Sequence, residues 1–143
     1  MIKLEKVVLA VDGGYYYPQS VELKQDYGLV GDRFAGDGER QICLLDIDVS
    51  NAIKELDGLC TKKFIGNFLT TGLDYKTLEV GQKLKVGKAQ IEIVQRGKKC
   101  YPECPLITAN SQCSLPHNCA FAKVIKGATI KMGSEITIEE KEQ

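Results

Sequence analysis

The chain has 143 residues, and its 19 basic and 19 acidic side chains leave no formal net charge. That length suits one domain able to bury about two-thirds of its unfolded surface, and the even charge excludes the broad electrostatic footprint of a nucleic-acid binder, so any basic site must be local. The longest uncharged apolar stretch near the start, residues 7–11, is too short for a signal-peptide core or a membrane span. The expectation is a single cytoplasmic domain over 1–143 with no membrane or nucleic-acid partner, its six cysteines reduced.

In chain order, residues 2–11 read as a strand ended by the Asp12-Gly13-Gly14 turn, and 21–24 as a shorter strand. Tyr27-Gly28-Leu29-Val30-Gly31-Asp32-Arg33 brackets two apolar residues with glycines, a tight loop presenting Asp32 and Arg33. Residues 41–46 are apolar and β-like, then Val49, Ala52, Ile53 and Leu56 take helical spacing over 48–56, with Asp48 or Ser50 as cap and Gly58 as stop. Strands are expected at 64–70, 77–86 and 89–95, the last with Ile91 and Ile93 on one face and Glu92 on the other. A short apolar element, 120–125, precedes a last strand pair, 128–132 and 135–139. Residues 80–86 and 132–138 share an apolar-Gly-x-x-apolar-x-apolar pattern, read as two turns entering strands rather than a duplication. Many short strands punctuated by glycine, with one clear helix, predict a mainly β, barrel-like domain with one or two short helices.

The irregular stretch 97–118 holds three of the four prolines and three of the six cysteines. Cys100, Cys104, Cys113 and Cys119 are separated by three, eight and five residues, with His117 among them. No Cys-x-x-Cys knuckle is present, although three thiolates plus His117 would form a legitimate zinc ligand set. Cys100 has the stronger case for reactivity: it closes Gln95-Arg96-Gly97-Lys98-Lys99-Cys100, and neighbouring cations favour the thiolate that acts as nucleophile or metal ligand. Against this stands plain burial after a strand, with solvated lysines beside it. Cys43, in the apolar run Gln41-Ile42-Cys43-Leu44-Leu45, and Cys60, after the helix, read as structural.

Several further blocks stand in a fixed order along the chain. They are Tyr27-Gly28-Leu29-Val30-Gly31-Asp32, Arg40-Gln41-Ile42-Cys43-Leu44-Leu45, Gly66-Asn67-Phe68-Leu69-Thr70-Thr71-Gly72-Leu73-Asp74 and Leu78-Glu79-Val80-Gly81. The series continues through Gln95-Arg96-Gly97-Lys98-Lys99-Cys100, Cys104 and Cys113 to Phe121-Ala122-Lys123-Val124-Ile125-Lys126-Gly127. Together these blocks resemble the MOSC domain, the C-terminal module of molybdenum-cofactor sulfurases that also occurs as short stand-alone bacterial proteins. The resemblance implies a MOSC-like β-barrel and makes Cys100 the match for the family's characteristic cysteine, as molybdenum ligand or sulfur carrier. It implies molybdenum cofactor (molybdopterin) as ligand, with Arg40 and Lys98 or Lys99 toward its phosphate, Gln41 and Asn67 toward pterin edges, and Asp32 and Arg33 on the adjacent loop. Chemistry permits both roles for Cys100, since a soft thiolate completes a metal's coordination and also carries sulfane sulfur as a persulfide.

There are departures. Arg33-Phe34 stand where many relatives carry Ala-His, Gly66-Asn67 where relatives often show Glu-Asn, and Leu115-Pro116-His117-Asn118-Cys119 replaces a more basic Met-Pro-Arg type of sequence. The leading expectation is a cofactor-binding or sulfur-carrying protein whose partner is the cofactor or a sulfur donor protein. An alternative is a small molybdenum reductase for N-hydroxylated substrates, whose electrons must come from outside because the chain has no flavin, haem or nucleotide fingerprint. A third is a structural zinc module built from Cys100, Cys104, Cys113 and either His117 or Cys119. Pyridoxal phosphate is not expected.

Overall fold

Strand alternation is plainest in Lys83-Leu84-Lys85-Val86, where both lysines are exposed and both apolar residues are buried. The same period recurs in Ser20–Lys24 and, with every inward position occupied by Ala, Ile or Val, in the long strands on either side of the cysteine segment. A computed structural model describes residues 2–11, 14–32, 35–36, 38, 41–53, 66–96 and 119–139. Its strands in chain order are β1 (Ile2–Val7), β2 (Leu9–Val11), β3 (Gly14–Tyr16), β4 (Ser20–Lys24), β5 (Gly28–Leu29) and β6 (Ile42–Asp46). After helix α1 (Ile47–Ile53) come β7 (Phe68–Thr71), a 3-10 turn (Tyr75–Thr77), β8 (Lys83–Val86), β9 (Ala89–Arg96), β10 (Cys119–Lys126), β11 (Ala128–Lys131) and β12 (Glu135–Ile138).

Seven strands close into a barrel in the order β1-β12-β8-β9-β10-β6-β7, with β7 pairing back onto β1. Closure leaves this sheet without an edge. All of its pairs are antiparallel except β6 with β7, where Leu44 faces Phe68 and Asp46 faces Thr70. A parallel neighbour requires a crossover connection, and α1 lies in that connection. Asp46 caps the helix, its Oδ1 accepting the backbone N–H groups of Asp48 at 3.0 Å and Val49 at 3.1 Å. Leu4, Leu44, Phe68, Leu84, Ile91, Val124 and Ile136 fill the interior.

Several expectations are corrected. The helix cap is Asp46, not Asp48 or Ser50, because the chain leaves β6 directly into the helix. The segment 2–11 is two strands, broken at Val8, whose N–H turns to the Asn67 carbonyl. The expected strand 77–86 begins only at Lys83; before it, 78–82 is a turn docked on β9, with Gly81 N–H donating to Ile93 O and Ile93 N–H to Gln82 O. β11 and β12 do not pair with each other: β11 joins β4 in a three-stranded sheet with β5, while β12 lies between β1 and β8. The two segments sharing an apolar-Gly pattern thus feed neighbouring antiparallel strands, with Ile136 opposite Val86.

Candidate functional site

β9 and β10 are neighbours, and the segment 97–118 connects the end of one to the start of the other. Cys100, Cys104, Cys113, His117, Lys98 and Lys99 belong to that segment and lie outside the described residues, as do Arg33, Arg40 and Cys60. The corner that carries the segment is described. In the β9–β10 ladder Ile93 faces Ala122 and Gln95 faces Phe121, so Val94 is an extra residue, a bulge. The bulge reverses the alternation, putting Arg96 opposite Ala120, a core residue, and Gln95 opposite half-buried Phe121 on the other face. Arg96 then donates from Nη1 to the carbonyls of Lys76 at 2.9 Å and Leu78 at 3.2 Å, pinning the barrel's end to the 3-10 turn. One cation of the run that precedes Cys100 is thereby fixed. Beside it, Leu78, Glu79, Val80, Val94, Gln95 and Arg96 line an open cleft of about 480 Å³.

Inside this end of the barrel, Thr70 Oγ1 and Tyr75 Oη lie 2.6 Å apart, both buried. Burial pushes the Tyr75 phenol far above its ordinary value; negative charge at Cys43, Asp46 and Cys119 adds to the rise, and the Thr70 hydrogen bond opposes it. On the outer face of the wall, Cys43 faces Phe121 and Cys119 faces Leu45, which makes the two cysteines diagonal neighbours across β6 and β10. Both are buried. The sequence separated them, one as a core hydrophobe and one as a candidate ligand; pairing of β6 with β10 brings them together. Among the described residues no group of three His, Cys, Asp or Glu side chains is arranged to hold a metal ion.

The three other described candidates are all buried and all bound to backbone. Asp32 Oδ1 accepts the Ala10 N–H at 2.8 Å. Gln41 Oε1 accepts the Val124 N–H at 2.9 Å, while its Nε2 donates to the carbonyls of Gly38 at 2.9 Å and Gly36 at 3.2 Å. Asn67 Oδ1 accepts the Cys43 N–H at 2.9 Å and Nδ2 donates to Val8 O at 3.0 Å. Val124 is five residues along β10 from Cys119, so Gln41 works about 16 Å from the corner where 97–118 is rooted. Sequence reasoning missed Thr70, Tyr75 and the Val94 bulge. Thr70 lies within a quoted family block, but no local signal marks a Thr–Tyr contact or an extra residue in a strand.

No family model matches the chain, and no curated protein matches it. Solved structures do. The YuaD protein from Bacillus subtilis superposes with a TM-score of 0.66 at 20% identity, covering 95% of this chain and 94% of that one. YiiM from Escherichia coli gives 0.65 at 16% identity, covering 100% of this chain and 72% of its own. YiiM from Geobacillus stearothermophilus gives 0.59 at 13% identity, with 98% and 76% covered. At these identities the likeness is one of fold, and the fold is MOSC-like.

Proposed function

We propose that this chain is a molybdenum-cofactor-associated protein of the MOSC type, which binds the cofactor or carries sulfur on Cys100. The observation that carries the reading is the β9–β10 corner: a MOSC-like barrel whose Val94 bulge aims Arg96 at its mouth, four residues before the cysteine that matches the family's own. The donor chemistry fits the group. Cys100 offers a soft thiolate for molybdenum or sulfur, and Arg33, Arg40, Lys98 and Lys99 offer cations for a phosphate. Asp32 and Gln41 support this indirectly, since they anchor to β2 and β10 the residues on either side of the span 33–40 that holds both arginines. When bound, the cofactor would supply a redox-active metal; the chain's part is to hold it and to present the thiol.

The test is anaerobic co-purification from a host that makes the cofactor, followed by metal, pterin and sulfane-sulfur analysis of wild type and Cys100→Ser. Wild type is expected to retain cofactor or a persulfide, and the variant to lose it with an unchanged circular-dichroism spectrum. Equal pterin content and sulfur load in the two proteins would overturn the reading.

A further inference from the structure

β2 and β3 form a two-stranded sheet of their own, with Val11 opposite Gly14, Ala10 opposite Tyr15 and Leu9 opposite Tyr16. In an antiparallel ladder, opposed residues alternate between exchanging both backbone bonds and exchanging neither. The Ala10 N–H leaves the hairpin for Asp32 Oδ1, so Ala10 and Tyr15 are a pair that exchanges neither. The N–H and C=O of Tyr15 therefore point away from β2, to the outer edge of β3. Tyr17 lies one residue past the end of β3, and because the residue before a proline favours extended backbone, continuing the strand through it would point its groups the same way. Among the described residues no strand pairs with that edge.

The side chains sharpen the point. Tyr15, Tyr16 and Tyr17 are 49%, 58% and 62% exposed. Residues 14–20, Gly-Tyr-Tyr-Tyr-Pro-Gln-Ser, carry no charge, whereas exposed edge strands are ordinarily guarded by charged side chains against pairing with another chain. Pro18 limits the edge to a few residues without blocking Tyr15 or Tyr17.

We infer that the outer edge of β3 pairs with the same edge of a second copy of this chain, about a two-fold axis at Tyr16. Self-complementarity selects this occupant. With Tyr16 facing its symmetry mate, Tyr15 of each copy stands opposite Tyr17 of the other. Both residues have outward backbone groups, so the two copies exchange four N–H···O bonds and build a four-stranded sheet. Four tyrosines stack in cross-strand pairs on one face and two on the other, and the uncharged edge brings no like charges together. At the observed exposures the three tyrosines offer about 400 Å² per copy, about 800 Å² for the pair, which places the contact among small, weak interfaces. The two-fold consumes both edges, so assembly stops at the dimer.

Sedimentation equilibrium on the full chain between about 1 µM and 1 mM tests this, the range in which an interface of this size dissociates. Wild type is expected to pass from monomer to dimer. Tyr16→Lys, which sets two lysines face to face, and Tyr17→Pro, which removes an edge donor, are each expected to weaken the dimer at least about tenfold. Mixing Tyr16→Lys with Tyr16→Asp is expected to restore it as a heterodimer. Two outcomes overturn the inference: wild type that stays monomeric throughout, which would leave the edge to another partner, or a dimer that both variants leave unchanged. Neither bears on cofactor retention by Cys100, so this test and that of the proposed function fail separately.

Discussion

The side-chain carbonyl of Asn67 accepts the backbone N–H of Cys43 at 2.9 Å, joining the parallel neighbours β6 and β7 just where the ladder between them begins. The same amide donates to Val8, the residue at which the first strand breaks, so one buried side chain ties three parts of the barrel. Asn67→Ala leaves a buried N–H and a buried C=O unpaired and is expected to cost about 2–4 kcal/mol. Urea denaturation measures it; a change in midpoint corresponding to under about 0.5 kcal/mol would show that the bonds are replaced by water.

Tyr75 gives a pH dependence with a definite sign. In the unfolded chain its phenol ionises near 10.0, whereas burial keeps it protonated in the folded barrel to far higher pH. Below pH 10 both states hold the proton and the phenol adds no slope. Above it the unfolded state binds fewer protons, so stability falls as pH rises, by up to about 1.4 kcal/mol per unit from this one group. Tyr75→Phe removes that component and leaves the Thr70 hydroxyl without its partner, costing about 1–2 kcal/mol at neutral pH. Denaturation of both proteins between pH 8 and 11 should give a steeper alkaline decline for wild type. Parallel curves would refute the assignment.

Gly66 stands where the structure leaves no room for a side chain. A Cβ built there lies 2.5 Å from the Cβ of Leu45, an atom close to the backbone of a central strand and unable to swing aside. Gly66→Ala is expected to destabilise by about 1–3 kcal/mol through overpacking. Paired with Leu45→Ala in a double-mutant cycle it should show a coupling of at least about 0.5 kcal/mol. Strict additivity would mean that the contact is relieved elsewhere.

Gln41 bridges β10 to the loop before β6 through both ends of its amide. Replacing it with Ala frees the carbonyls of Gly36 and Gly38 and leaves the buried Val124 N–H unpaired, at a cost of about 2–3 kcal/mol. Hydrogen exchange reads the effect locally: the Val124 amide is expected to exchange at least about tenfold faster, while that of Ile91, in the neighbouring strand, follows only the global change. Equal acceleration at both amides would deny Gln41 a local role.

How much of this was legible in the sequence can be judged residue by residue. The alternation of Ile91, Glu92 and Ile93 announced β9 and its buried face, because strand period is a local property of the chain. The apolar run around Cys43 announced a strand with Cys43 as a core hydrophobe; that all four of Ile42, Cys43, Leu44 and Leu45 are buried, on both faces, is what the structure adds. The barrel class followed from many short strands and a single helix. The ordered blocks pointed to a MOSC-like fold, which the solved neighbours share.

Tertiary structure alone decided which strands meet and which way side chains face after an irregularity. Nothing local marks Val94 as a bulge, since an extra residue exists only relative to a partner strand, yet that residue turns Arg96 to the barrel mouth. Cys43 and Cys119 are 76 positions apart and became neighbours only through the pairing of β6 with β10. Asp32, Gln41 and Asn67 carried ligand-like chemistry in the sequence, but their partners include backbone groups 22, 83 and 59 positions away, brought within reach by the tertiary fold. Local sequence determines period, turns and the chemical character of the segment around Cys100; long-range pairing determines which polar groups remain to act and which are used to hold the barrel together.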